Sequence, residues 1–269
     1  MRLTQICFAA LAVFSLFAGQ ASAQIVYQDN FDAADGIGTN TGIGGGLISG
    51  TNITAAGAFD DATGDAVAQT NFGNRVAFAF TQNQFDLSNG FTLDVNFTTA
   101  ASTFGSNSIG IGIVDEVTAA APSNQGNLSA LFINEEELNA VGFLFDENAG
   151  ALTTTGLITD FGALSVVDTT QNADFAVGTT ESLTLTVNAD GSGSFDLGGT
   201  VAATSFGAGT FSSLFSDSTD GEFHVVLRSQ GNQGLTVSDI TLSTTAVPEP
   251  SSLALLGLGV FGFVARRRR

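Results

Sequence analysis

An all-β domain built as a single antiparallel β-sandwich is what this chain predicts, and three observations carry the prediction. Apolar residues recur at every second position wherever the sequence is regular, and Gly- and Asp-rich turns punctuate those runs. Between residues 24 and 246 no stretch sustains the longer apolar period of an amphipathic helix, although Asn134 to Ala140 could form one helical turn. The 223 residues from Gln24 to Ala246 suffice for one large β domain or two small ones, and one is expected.

The chain starts with a different pattern. Arg2 gives a positive first region, Ile6 to Ala18 an apolar one, and Ala21-Ser22-Ala23 a small-residue cleavage site before Gln24. Residues 1–23 therefore read as a secretory signal peptide. Cys7, the single cysteine, lies inside it, so the mature protein is expected to lack thiols, disulfides and cysteine metal sites. Its stability must then come from ordinary packing.

Along the mature chain the strands announce themselves in turn. Val76, Phe78 and Phe80 alternate with alanine, and Ile109, Ile111 and Ile113 with glycine. Phe91, Leu93, Val95 and Phe97 alternate with Thr92, Asp94 and Asn96, and Leu183, Leu185 and Val187 with Thr184 and Thr186. The last two sets predict half-buried strands. Where Gly or Ala stands between bulky residues, as also in Val141, Phe143 and Phe145, the second face is expected to be covered closely. Asp190-Gly191 within Asn188 to Gly193 predicts a hairpin joining Leu183–Val187 to Ser194–Leu197. Phe223–Leu227 and Leu235–Leu242 flank Arg228 to Gly234 in the same way, predicting a second hairpin. In the last strand apolar parity flips between Val237 and Ile240, which calls for a β-bulge near Ser238 or Asp239.

The end of the chain has its own logic. Pro248 and Pro250 fix φ and oppose helix, so Val247 to Pro250 is expected to be extended and accessible. Ser251 to Ala265 carries no charge and reads as a short transmembrane helix, with Arg266, Arg267, Arg268 and Arg269 holding its end in the cytoplasm. Everything upstream would then lie on the outer side. With Val247-Pro248-Glu249-Pro250 intact, residues 247–269 resemble the sorting tail of the PEP-CTERM family of exported bacterial proteins. The resemblance implies recognition by an exosortase, a membrane-embedded processing enzyme linked to exopolysaccharide-producing envelopes. On the residues alone, an ordinary tail anchor is the alternative.

A second resemblance concerns the domain between. Tyr27-Gln28-Asp29-Asn30-Phe31, Gly90 to Phe97, and Val237 to Leu242 look like strands of the concanavalin-A or laminin-G type of jelly roll. That resemblance implies first and last strands side by side in one of two antiparallel sheets around an aliphatic and phenylalanine core. From strand rhythm alone, another β-sandwich or a β-solenoid stays open.

Charge narrows the partners. All 26 Asp and Glu residues fall between Gln24 and Pro250, where Arg75 and Arg228 are the only cations. Nucleic acid and anionic lipid need clustered cations that this stretch lacks, so neither is an expected partner of the domain.

Candidate chemistry is sparse. Asp60, Asp61 and Asp65 gather in a turn-like segment of the kind that supplies oxygen ligands to calcium, but without the spacing of an EF-hand. A solvated acidic loop is expected there, and calcium and sodium chloride at matched ionic strength should then stabilise the protein equally, because screening is not ion-specific. Asp29 and Asp239 form an alternative pair if the terminal strands are neighbours. Glu135, Glu136 and Glu137 invite comparison with the paired acids of jelly-roll glycosidases, yet the spacing that follows departs from the laminarinase-like pattern. His224, the sole histidine, sits within an apparent strand and reads as a sheet-face residue. Gly42 to Gly46 reads as a flexible loop, since no lysine or helix follows to make it a phosphate loop. Asn52, Asn96 and Asn127 begin Asn-x-Ser/Thr sequons.

No tryptophan is present, and Tyr27 is the only tyrosine, so stacking platforms for sugars are scarce among 19 phenylalanines bound for the core. The expectation is an exported, non-enzymatic envelope or matrix protein, structural or adhesive, sorted by an exosortase and requiring no cofactor. A carbohydrate-binding module acting on exopolysaccharide, with or without calcium, is the alternative; a glycosidase is the third.

Overall fold

The computed structural model describes residues 23–31, 42–51, 59–60, 65–68, 76–99, 107–115, 140–148, 151–159, 165–166, 180–198, 201–209, 211, 220–230 and 235–245. All but Ala23 and Gln24 belong to one compact unit, Ile25–Thr245. In chain order the strands are β1 (Gln24–Asp29), β2 (Leu47–Thr51), β3 (Phe59–Asp60), β4 (Ala66–Ala68), β5 (Val76–Thr81), β6 (Phe85–Asp86), β7 (Gly90–Thr99) and β8 (Asn107–Asp115). There follow β9 (Ala140–Asn148), β10 (Ala151–Thr159), β11 (Ser165–Val166), β12 (Thr180–Asn188), β13 (Gly193–Leu197), β14 (Val201–Phe206), β15 (Glu222–Gln230) and β16 (Leu235–Thr244).

Two eight-stranded antiparallel sheets result. The first runs β14-β13-β12-β7-β16-β4-β3, with β1 also on β16; the second runs β11-β10-β9-β8-β15-β5-β2, with β6 also on β15. First and last strands are therefore neighbours, as the jelly-roll resemblance implies. Period-two alternation drives this arrangement, because each strand of the first sheet has one apolar face to bury. Phe91, Leu93, Val95 and Phe97 of β7 point into the core with Leu183, Leu185 and Val187 of β12 and Ile240 and Leu242 of β16. From the second sheet come Ile111, Ile113, Phe143, Val225 and Leu227. Phe143 and Phe195 meet edge to face across the two layers, with centroids 5.2 Å apart and ring planes at 76°. Each buried Phe or Leu contributes about 1.5–3 kcal/mol, and the packed layers are what hold a chain with no disulfide together.

The centre of the second sheet differs in having both faces covered. Phe223 to Ser229 of β15 are buried without interruption, and so are Gly110, Gly112 and Gly142 beside them. Alternation of bulky residues with glycine is the sequence signature of that burial.

The predicted bulge is present. Register between β7 and β16 shifts between Val237 and Asp239, leaving Ser238 as the extra residue, whose hydroxyl donates to the Asn96 carbonyl at 3.3 Å. The hairpin at Asp190-Gly191 also forms: Asn188 N donates to Ser192 O at 2.7 Å, and Gly191 takes φ of 76°. Asp190 Oδ1 accepts from both the backbone N–H and the hydroxyl of Ser192, which holds its carboxyl below the usual carboxylate range. By contrast, Phe223–Leu227 and Leu235–Leu242 do not form a hairpin. β15 lies in the second sheet between β8 and β5, whereas β16 lies in the first against β7, so residues 231–234 join strands of different layers. Both runs read as strands flanking a short link, and their partners distinguish a hairpin from a crossing.

Candidate functional site

The outward face of the first sheet carries an extended polar array. Because β7, β12 and β16 bury their apolar positions on one side, their hydroxyl, amide and carboxylate positions emerge together on the other. Register sets them in rows: Asp196, Thr184, Asp94 and Thr241; Ser194, Thr186, Thr92 and Ser243; Ser182, Asn96 and Asp239; Thr180, Thr98 and Thr236. Cross-strand hydrogen bonds tie several of them. Thr92 and Thr186 hydroxyls lie 3.1 Å apart, Thr98 and Thr180 hydroxyls 3.2 Å, and Thr184 Oγ1 donates to Asp94 Oδ1 at 2.6 Å. All of these residues are half-buried or exposed.

Two carboxylates on this face share one field. Partial burial, and secondarily the charge of Asp94, push the Asp239 carboxyl above the usual carboxylate range. The partner of Asp239 is thus Asp94 and not Asp29, its expected companion. Asp29 points inward instead: it is buried, its Oδ2 accepts from the Tyr27 hydroxyl at 3.2 Å and its Oδ1 from Phe31 N at 2.8 Å. The sequence signal for the outward face was the run of Thr92, Asp94, Asn96 and Thr98 between core residues, and what it lacked was the register that brings Thr184 and Asp239 beside Asp94.

Other candidate residues are scattered. His224 is buried on β15, with Nδ1 2.6 Å from the Thr81 carbonyl oxygen and its ring edge-on to Phe80. Since a carbonyl only accepts, Nδ1 carries the proton. Arg228, on the same face of β15 between Gly110 and Phe78, is 1% exposed, so this cation is withdrawn from the surface. Asp60 closes β3 opposite Val67, and Asp65 is half-buried just before β4, so these two acids bracket the link of a short hairpin. Asp61, between them, lies outside the described residues, as do Glu135, Glu136, Glu137, Asn52 and Asn127. Among the described residues no three His, Cys, Asp or Glu side chains gather where a metal would fit. Gly42 to Gly46 is pinned and not a free loop: Ile43 and Gln28 exchange two backbone hydrogen bonds, and Asn83 Nδ2 donates to Gly44 O at 2.8 Å. Glycine is required at Gly44, where φ is 95° and a Cβ would stand 2.7 Å from the Val26 carbonyl oxygen. Ala23 is exposed immediately before β1, and Gln24 begins that strand. Ala21, the residues Val247 to Pro250, the stretch 251–265 and the four terminal arginines lie outside the described residues.

Comparison with known proteins bears on both ends of this picture. Residues 246–269 match the PEP-CTERM protein-sorting motif. That motif implies export, exosortase processing and sorting to the cell surface. No curated protein sequence matches the chain. Among solved structures, the Lotus tetragonolobus seed lectin is similar at 12% identity and a TM-score of 0.57, over 84% of this chain and 100% of the lectin. A Bauhinia forficata lectin in complex with GalNAc is similar at 12% identity and a TM-score of 0.55, over 84% of this chain and 99% of that one. So is a structure described with the endo-acting O-glycanases that prominent members of the human gut microbiota express to initiate mucin breakdown, at 10% identity and a TM-score of 0.53, over 83% and 100%. At such identities the likeness establishes the fold alone. The chain carries a PEP-CTERM protein-sorting motif at its C-terminal end, and the domain before it is a sandwich similar in fold to the legume lectins.

Proposed function

We propose that this protein is a non-enzymatic carbohydrate-binding module, delivered to the cell surface by an exosortase and there engaging the polysaccharide of the envelope. The observation that carries the reading is the joining of a surface-sorting tail to a lectin-like sandwich whose first sheet presents an ordered polar face. Charge supports it, since the mature chain carries 26 acids and its described cation, Arg228, is buried, so neither nucleic acid nor an anionic membrane surface is a suitable partner for the domain.

One observation favours a second reading, a structural or adhesive protein that recognises no sugar. Tyr27, the only tyrosine, is fully buried in a chain without tryptophan, which removes the usual aromatic platforms for a sugar ring. Polysaccharide pull-down with the exported protein separates the two readings. Retention on envelope polysaccharide is the expected result, and its absence from every polysaccharide tried would leave the structural reading. Hydrolysis of a bound glycan, lost in Glu135→Gln or Glu137→Gln, would replace both with a glycosidase.

A further inference from the structure

We infer that the outward face of the first sheet is where the ligand lies, and that the ligand is an uncharged polysaccharide chain laid flat across β12, β7 and β16. The inference rests on the carbohydrate-binding reading above and adds to it a place and a chemical class.

The face is a fixed array of hydroxyl groups. Thr92 with Thr186 and Thr98 with Thr180 are hydrogen-bonded across strands, and each hydroxyl keeps further donor or acceptor capacity. Branching at Cβ stiffens χ1, and the cross-strand bonds hold the hydroxyls further, so little side-chain freedom remains to be lost when a ligand arrives. Strands about 4.8 Å apart and side chains about 6.8 Å apart along each strand give donors and acceptors at short, regular intervals. A chain of sugar rings offers hydroxyls at short, regular intervals as well.

Charge selects among such chains. The ionisable groups in the rows are Asp94, Asp196 and Asp239, with no cation beside them among the described residues. An acidic polysaccharide would meet carboxylate with carboxylate, and so would a second copy of the protein docked face to face. An uncharged chain meets no such repulsion. Without a stacking aromatic each sugar contributes little, so affinity must accumulate over many rings, and a monosaccharide should neither bind measurably nor compete.

The test is affinity electrophoresis of the exported protein through gels containing a neutral glucan, galactan or mannan, or alginate. Retardation by at least one neutral polysaccharide and none by alginate is expected, unaffected by free galactose or GalNAc. Replacing four hydroxyls in Thr92→Val, Thr98→Val, Thr180→Val and Thr186→Val combined should weaken retention at least about tenfold, since four hydrogen-bonding groups are lost from the face at once. The melting temperature should hold; if the fourfold variant fails to fold, Thr98→Val with Thr180→Val, the more exposed pair, should weaken retention in the same direction. Equal binding by wild type and variant, or elution by a monosaccharide, would place the site elsewhere and overturn this inference while sparing carbohydrate binding. Equal retention by alginate would overturn the ligand class. Binding to none of the polysaccharides would overturn both, and a dimer lost in the Thr→Val variant would assign the face to a second copy.

Discussion

The Tyr27 hydroxyl donates to Asp29 Oδ2 at 3.2 Å inside the sandwich, two residues along the same strand and on the same inward face. Asp29 also receives Phe31 N, and Phe31, buried and at a φ of 52°, is thereby held in the left-handed region that ends the strand. Burial, then the charge of Asp29 and the hydrogen bond to it, raise the Tyr27 phenol well above the usual tyrosine range. A group whose folded pKa is raised contributes stability at low pH and loses it as pH climbs past the unfolded value, here about 10. Tyrosinate absorbance should therefore stay absent from the folded protein at pH values where a free tyrosine ionises, and should appear only with cooperative unfolding. No other tyrosine and no tryptophan obscures that signal. Tyr27→Phe should remove this alkaline loss and cost about 1 kcal/mol at neutral pH. Asp29→Ala should cost about 3 kcal/mol, because two buried donors lose their acceptor.

Asp239 has the same sign for a different reason. Its carboxyl is raised by partial burial and by Asp94, so the folded state holds its proton longer than the unfolded chain does. Stability associated with it is present below about pH 4 and declines as pH rises from there through the folded value. Asp239→Asn should raise stability at neutral pH by about 0.5 kcal/mol, small because the pair is half open to solvent. The gain should vanish in urea titrations below about pH 4, where both states are protonated.

Two glycines separate crowding from backbone conformation. At Gly193 a Cβ would stand 1.9 Å from the Thr186 carbonyl oxygen and 2.8 Å from the Phe206 ring, whereas at Gly209, with φ of 85°, nothing lies within 4 Å. Gly193→Ala must displace the β12–β13 ladder and should cost about 3 kcal/mol or more. Gly209→Ala meets only the left-handed penalty, about 1–2 kcal/mol. Denaturant midpoints with unchanged slopes should reveal that difference. Equal losses would mean that the close approach at Gly193 relaxes without resistance.

Which features were legible in the sequence follows from what each depends on. Alternation in β7 and β12, the turn at Asp190-Gly191 and the parity flip after Val237 are local, and the structure has all three. Pairing is not local. The runs 223–227 and 235–242 look like a hairpin because two strand-like runs flank a short link, and only their pairing partners place β15 and β16 in different sheets. Likewise Asp94 and Asp239 are 145 positions apart, and no spacing rule joins them; it takes the β7–β16 register and its one-residue shift. The turn-like reading of Asp60 to Asp65 falls mostly outside the described residues, while Gly42 to Gly46 departs from the flexible-loop reading because glycine marks close approach as readily as freedom.

The sorting tail should be a weak anchor awaiting replacement. Fifteen uncharged residues, 251–265, span roughly 22 Å as a helix, against a hydrocarbon core about 30 Å thick. Arginine side chains reaching for the interface and local thinning can close the difference at modest cost, but such a helix is held less firmly than a full-length span. Gly257, Gly259 and Gly262 lower its apolar content further. A segment of this kind suits an enzyme that must take hold of it and let it go, and Pro248-Glu249-Pro250, whose prolines oppose helix, is where cleavage should meet least regular structure. In a host with an exosortase, mass spectrometry of the surface protein should find a C-terminus near that tripeptide and no Arg266 to Arg269. In a host without one, the arginines should persist and the protein should fractionate with the inner membrane. Intact tails on most molecules in the first host would defeat the processing model, because a weak anchor left in place would have no reason to be weak.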